Sequence, residues 1–137
     1  MLGQIIVDMQ GKMTNQRVLP AEQGSPTFES TFEVAGSILS LPAKTIVTYW
    51  STILPNGTIY GECPNQGVVI TQSGETATFR AAGAGKFTNA AGAVSFRGAI
   101  YYASQSPALA ALNGLGVVYE WDVDENGKAA FKGWEWK

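Results

Sequence analysis

The chain has 137 residues, 45% hydrophobic and only 15% charged, with a formal net charge of −2. That length fits a single domain, residues 1–137, with a substantial core, and the composition excludes both a disordered chain and a charged coiled coil. Its nine Lys and Arg residues are scattered, so they neutralise few phosphates and nucleic acid is not an expected partner.

The opening Met1-Leu2-Gly3-Gln4-Ile5-Ile6-Val7-Asp8 has no basic stretch and meets an acid too early for a signal peptide. No apolar run approaches the ~20 residues of a membrane span, so no membrane partner is expected. Cys63 is the single cysteine, which rules out an intrachain disulfide and points to a reducing, cytoplasmic compartment.

Apolar residues recur with period two rather than 3.6. Residues 3–10 and 13–19 read as two strands, or as one strand bent at Gly11. Over residues 27–39, Phe28, Ser30, Phe32, Val34, Gly36 and Ile38 share one face, and Glu29, Thr31 and Glu33 share the other. Further strands are expected over 43–54, 58–63, 67–72 and 76–82. Residues 93–104 alternate again, with Val94, Phe96, Gly98, Ile100 and Tyr102 on one side. Ser106 to Gly114 breaks the pattern as a short helix near 107–112. Ser106 suits its cap, Pro107 its first turn and Gly114 its exit. It is read as a connector rather than a lid or plug at a barrel end. Strands over 115–124 and 128–136 complete the chain.

Turn signals separate these strands at Pro55-Asn56-Gly57, Ser73-Gly74, Asn89-Ala90-Ala91-Gly92 and Glu125-Asn126-Gly127. Short links imply antiparallel hairpins in sequence order. The predicted fold is all-β, a meander that hides its edges by closing into a barrel of about eight strands. For the last hairpin, a three-residue loop with Gly127 left-handed places Asp124 opposite Lys128. It then sets Asp122 against Ala130, Glu120 against Lys132 and Val118 against Trp134. That register sorts charge from apolar bulk and predicts two cross-strand ion pairs. It turns Trp134 and Trp136 outward as an association surface, and turns Glu135 inward.

The chain has no histidine. This removes His-dependent nucleophile systems and imidazole zinc sites, and one cysteine cannot build a thiolate cluster, so neither metal nor cofactor is expected. Any acid or base must be a carboxylate, Tyr, Lys or the thiol. Gly83-Ala84-Gly85-Lys86-Phe87-Thr88 fails the phosphate-loop pattern at Arg80 and Phe87, and reads as strand bends. Asp122 to Gly127 lacks calcium-loop spacing and reads as a turn. The candidate ligand-binding residues are Trp50, Tyr60, Glu62, Cys63, Tyr119, Trp121 and Glu135. Glu62-Cys63 sits near a strand end, and the aromatics are suited to lining a lumen.

Gly57-Thr58-Ile59-Tyr60-Gly61-Glu62, Gly74-Glu75-Thr76-Ala77-Thr78-Phe79 and Phe96-Arg97-Gly98-Ala99-Ile100-Tyr101 together resemble small prokaryotic proteins with an allene oxide cyclase-like, dirigent-like barrel. The resemblance covers about residues 43–104. It implies an eight-stranded barrel, often oligomeric, with a small apolar lumen. The cyclase's catalytic glutamate has no counterpart in this alignment, so no catalytic residue is carried over. Three functions fit the sequence. One is a non-enzymatic barrel binding a small apolar ligand in its lumen. The second is a cyclase or isomerase using Glu62, Glu135 or a tyrosine. The third is an interaction module or homo-oligomer joined through Trp134 and Trp136.

Overall fold

The computed structural model describes residues 1–137. The strands are β1 (Leu2–Glu22), β2 (Ser25–Ile38), β3 (Leu41–Ile53), β4 (Ile59–Thr71), β5 (Thr76–Phe87), β6 (Val94–Ala103), β7 (Val117–Val123) and β8 (Lys128–Trp136). Each pairs antiparallel with the next, and β1 returns to pair with β8, closing an eight-stranded barrel. This is the predicted all-β meander. A single short 3-10 helix, Pro107–Leu112, joins β6 to β7. No helix is long and apolar enough to cross a membrane.

The period-two pattern sets the faces. On β2, Ser30, Phe32, Val34 and Ile38 are buried while Glu33 and Ala35 are exposed. On β6, Phe96, Ile100 and Tyr102 are buried in the same way. These inward rows merge into one core of 22 buried residues. Each large side chain there contributes about 1.5–3 kcal/mol relative to exposure.

The first two strand candidates are one strand. A Cβ at Gly11 would collide with the Glu33 carbonyl on β2, so glycine alone allows the two backbones to approach there. β1 pairs with β8 only from Leu2 to Lys12. Beyond that it continues along β2 to Glu22, so the β1–β2 hairpin overhangs one end of the barrel. The candidates over 58–63 and 67–72 are also one strand, β4, interrupted by a bulge. Pairing to β5 jumps from Cys63 to Gly67, and Asn65 takes a left-handed φ of 60°.

The C-terminal hairpin has the predicted register throughout. Val118 faces Trp134, Glu120 faces Lys132, Trp121 faces Phe131 and Asp122 faces Ala130. Gly127 is left-handed at φ 83°. The predicted ion pairs within the hairpin do not form. Arg97, next door on β6, takes Asp122 at 2.9 Å and approaches Glu120 at 3.9 Å. Asp124 instead accepts the backbone N–H groups of Asn126 and Lys128, at 2.8 and 2.9 Å, which fixes the turn. A guanidinium reaching across from the neighbouring strand outcompetes a flexible lysine directly opposite.

The two ends of the barrel differ. At the end where β6 leaves and β7 begins, the 3-10 helix drives Leu109 and Leu112 inward, and both are fully buried. The connector is therefore also a plug. Its capping differs from expectation: the Ser106 side chain makes no cap hydrogen bond to the helix, although Pro107 opens it as predicted. At the other end the overhanging β1–β2 hairpin stands beside an open mouth.

Candidate functional site

The mouth is a hollow of about 630 Å³. The overhang supplies Met13 to Gln16 on one side and the β7–β8 turn supplies Asp124 to Gly127 on the other. Its rim is polar: Gln16 Nε2 donates to Ser30 Oγ at 3.1 Å, and Asn89 Nδ2 to Glu125 Oε2 at 3.3 Å. No lysine or arginine lines it.

An aromatic layer forms its floor. The Phe32 ring stacks on Tyr49 at 5.8 Å and meets the edge of Trp121 at 5.0 Å. Tyr49 packs edge-on against Phe96 at 6.0 Å, and Trp121 against Phe131 at 5.7 Å. Such edge and offset contacts are the favoured geometry for aromatic quadrupoles. Trp121 Nε1 donates to Tyr49 Oη at 3.2 Å, which pins both rings.

Tyr49 and Phe96 also wall a second, inner pocket of about 60 Å³ on the far side of this layer. Its remaining walls include Thr45, Cys63, Phe79, Tyr119 and Trp121. Glycines make this space. A Cβ at Gly83 would overlap the Tyr119 hydroxyl, and one at Gly85 would come within 2.6 Å of the Phe96 ring. Thr45 Oγ1 donates to Met9 Sδ at 3.1 Å. The β4 bulge at residues 64–66 lies beside the pocket, immediately after Cys63.

The polar atoms of this interior are held neutral. Burial pushes the Tyr49 phenol up to about 12, although the Trp121 hydrogen bond works the other way. Burial also raises Tyr119, with the neighbouring Tyr49 and Cys63 adding to it. The Cys63 thiol is raised by burial, opposed by a hydrogen bond from the Gln66 backbone and reinforced by Glu62. All three therefore carry their protons at neutral pH and act as donors rather than bases.

The structure divides the residues singled out from sequence. Cys63, Tyr119 and Trp121 line the inner pocket together. Trp50 does not face the lumen: it is partly exposed on the outer face and donates to Glu29 Oε2 at 3.1 Å. Its neighbour Tyr49 is the inward residue, because successive side chains on a strand point to opposite sides. Tyr60 is likewise exposed on the outside. Glu62 lies between Gly61 and Cys63 at the pocket wall and turns an exposed carboxylate outward. Glu135 is opposite Val117, whereas Phe131 is opposite Trp121, so the acid sits away from the indole and lines neither cavity. Sequence reasoning missed Phe96 and the glycines as pocket-forming residues. The Phe-x-Gly alternation on β6 was the available signal for the ring. Nothing local marks which glycines face inward.

Trp136 is 65% exposed and Trp134 half-buried on the outer face. Trp136 forms a small apolar hollow with Met1, Leu2 and Val118.

No protein-family model and no curated protein matches the chain. Two solved structures share its fold over nearly their whole length. One is a conserved protein of unknown function from Rhodopseudomonas palustris, with a TM-score of 0.79, 9% identity, and 98% of this chain and 97% of that chain covered. The other is a protein of unknown function from Clostridium acetobutylicum, with a TM-score of 0.76, 9% identity, and 98% of each chain covered. At that identity the likeness is one of fold: a closed eight-stranded barrel.

Proposed function

We propose that this protein is a non-enzymatic barrel that binds a small apolar molecule in its lumen. The supporting observation is the asymmetry of the barrel. One end is sealed by Leu109 and Leu112, and the other opens through a mouth onto an aromatic floor with an apolar pocket behind it. The mouth has the volume of a small-molecule site, whereas the inner pocket takes only a small group. The fitting ligand therefore has a body that rests in the mouth and a compact end that passes Tyr49 and Phe96.

The cyclase or isomerase reading, which the allene oxide cyclase-like resemblance raises, needs Glu62, Glu135 or a tyrosine to act as acid or base in the lumen. Glu62 touches the inner pocket's wall but is exposed on the outer side of β4, Glu135 lines neither cavity, and the phenols and thiol there keep their protons and cannot serve as bases. Binding is the better-supported role. The test is an NMR titration of the labelled protein with toluene. Saturable shifts should appear at the Trp121 indole N–H and at the Gly61 and Gly83 amides. Absence of saturation, or shifts confined to the outer face around Trp136, would refute it.

The exposed Trp136, Leu2 and Met1 favour a second proposal, self-association through that face. Sedimentation should then show a dimer or larger species that Trp136→Ser converts to monomer. A monomer at all concentrations would dismiss it.

A further inference from the structure

The hydroxyls and the thiol of the inner pocket come from Thr45, Tyr49, Tyr119 and Cys63. Tyr49 Oη accepts from Trp121, but its own proton meets no acceptor in the protein. Tyr119 Oη makes no hydrogen bond at all, although Gly83 leaves the space in which it stands. Cys63 is buried in the pocket wall and keeps its S–H. Thr45 has spent its proton on Met9. The pocket thus presents two phenol donors and a weaker thiol donor in about 60 Å³. The Tyr49 proton and the Tyr119 hydroxyl have no acceptor in the protein, so an acceptor placed beside them gains hydrogen bonds that the chain itself does not supply.

We propose that the inner pocket recognises a neutral carbonyl oxygen carried on an otherwise apolar molecule, held by the Tyr119 and Tyr49 hydroxyls. This rests on the lumen being a binding site. A carbonyl oxygen has two lone pairs, which matches two phenolic donors. A carboxylate is disfavoured because no Lys or Arg lines either cavity, and Asp124 and Glu125 stand at the mouth. An ammonium is disfavoured because the pocket is lined chiefly by apolar and aromatic side chains, and Glu62, the one carboxylate at its wall, is exposed on the outer side of β4.

The test compares isosteres. Acetophenone and α-methylstyrene have nearly the same shape and differ by a carbonyl oxygen in place of a methylene. Partition from water alone favours the hydrocarbon. The proposal expects the opposite order, with acetophenone binding about tenfold more tightly by NMR titration at the Trp121 indole, and benzoate weaker than both. Tyr119→Phe should bring the two affinities to within about threefold, chiefly by weakening acetophenone. Gly83→Ala, which displaces the Tyr119 hydroxyl by sterics, should act in the same direction. If α-methylstyrene binds as well as acetophenone, the carbonyl assignment is overturned and the apolar-binding role stands. If the ketone preference survives both Tyr119→Phe and Tyr49→Phe, the phenols are not its source and the proposal fails. If neither probe binds, both the proposal and the binding role fall.

Discussion

Phe32 offers a demanding check on the architecture. It is fully buried, stacks on Tyr49 and meets the Trp121 edge, and its ring is part of the floor between mouth and inner pocket. Phe32→Ala removes a whole ring from a packed layer, a change that costs about 3–5 kcal/mol. The two aromatic contacts, about 0.5–1.5 kcal/mol each, place it in the upper part of that range. An unfolding entropy of roughly 2.1 cal/mol/K per residue gives about 0.3 kcal/mol/K for this chain, so Tm should fall by about 10–17 °C. Urea unfolding followed by circular dichroism should show a lower midpoint with an unchanged m-value. The substitution also joins the mouth to the inner pocket. Toluene at saturation should therefore restore part of the lost stability, by about 2–3 kcal/mol at a hundred times its Kd. A loss below about 1 kcal/mol would mean that Phe32 is not set in a packed floor, and the reasoning would be wrong.

Leu109→Ala, at the sealed end, should cost about 2–5 kcal/mol and speed amide exchange in the residue 104–116 connector; an effect under 0.5 kcal/mol would show that the helix does not plug the barrel. A Cβ at Gly67 would overlap the Phe79 ring. Gly67→Ala should accordingly destabilise by about 1–3 kcal/mol, and Phe79→Leu in the same chain should recover part of that in a double-mutant cycle. Tyr49 has an ordinary value of 10.0 and a folded value near 12. The stability it contributes is complete below pH 10 and is lost as pH rises from about 10 to 12, because the unfolded chain ionises first. Urea midpoints should thus fall over that interval, and Tyr49→Phe should flatten the fall; a profile identical to wild type would refute the burial of this phenol.

How far the sequence reaches depends on how local the controlling physics is. The C-terminal register was legible because Glu120, Asp122 and Asp124 cannot share a face with Trp121 and Val123 without burying charge. The β2 and β6 faces followed from alternation alone. The candidate site was less legible. Tyr49-Trp50 and Tyr60-Gly61 are adjacent pairs, and without a pairing partner alternation does not say which member points inward. The tertiary contacts decide: Tyr49 is fixed by Trp121, 72 residues away, and Trp50 is drawn outward to Glu29. The inward glycines that shape the pocket are likewise set by rings on other strands, Phe79 and Phe96. Glu135 lies on the inward side of β8, as alternation predicts, but its position opposite Val117 keeps it out of both cavities.

The central claim is an apolar pocket within the barrel, behind an aromatic floor and open toward one end. Diffraction from crystals pressurised with xenon tests it most directly, because xenon enters apolar cavities without needing any hydrogen bond. The account predicts one internal anomalous peak among Tyr49, Cys63, Phe96 and Trp121, which is lost in a Gly61→Leu variant that fills the space. An interior without xenon, with peaks only in the outer hollow at Trp136, would contradict it.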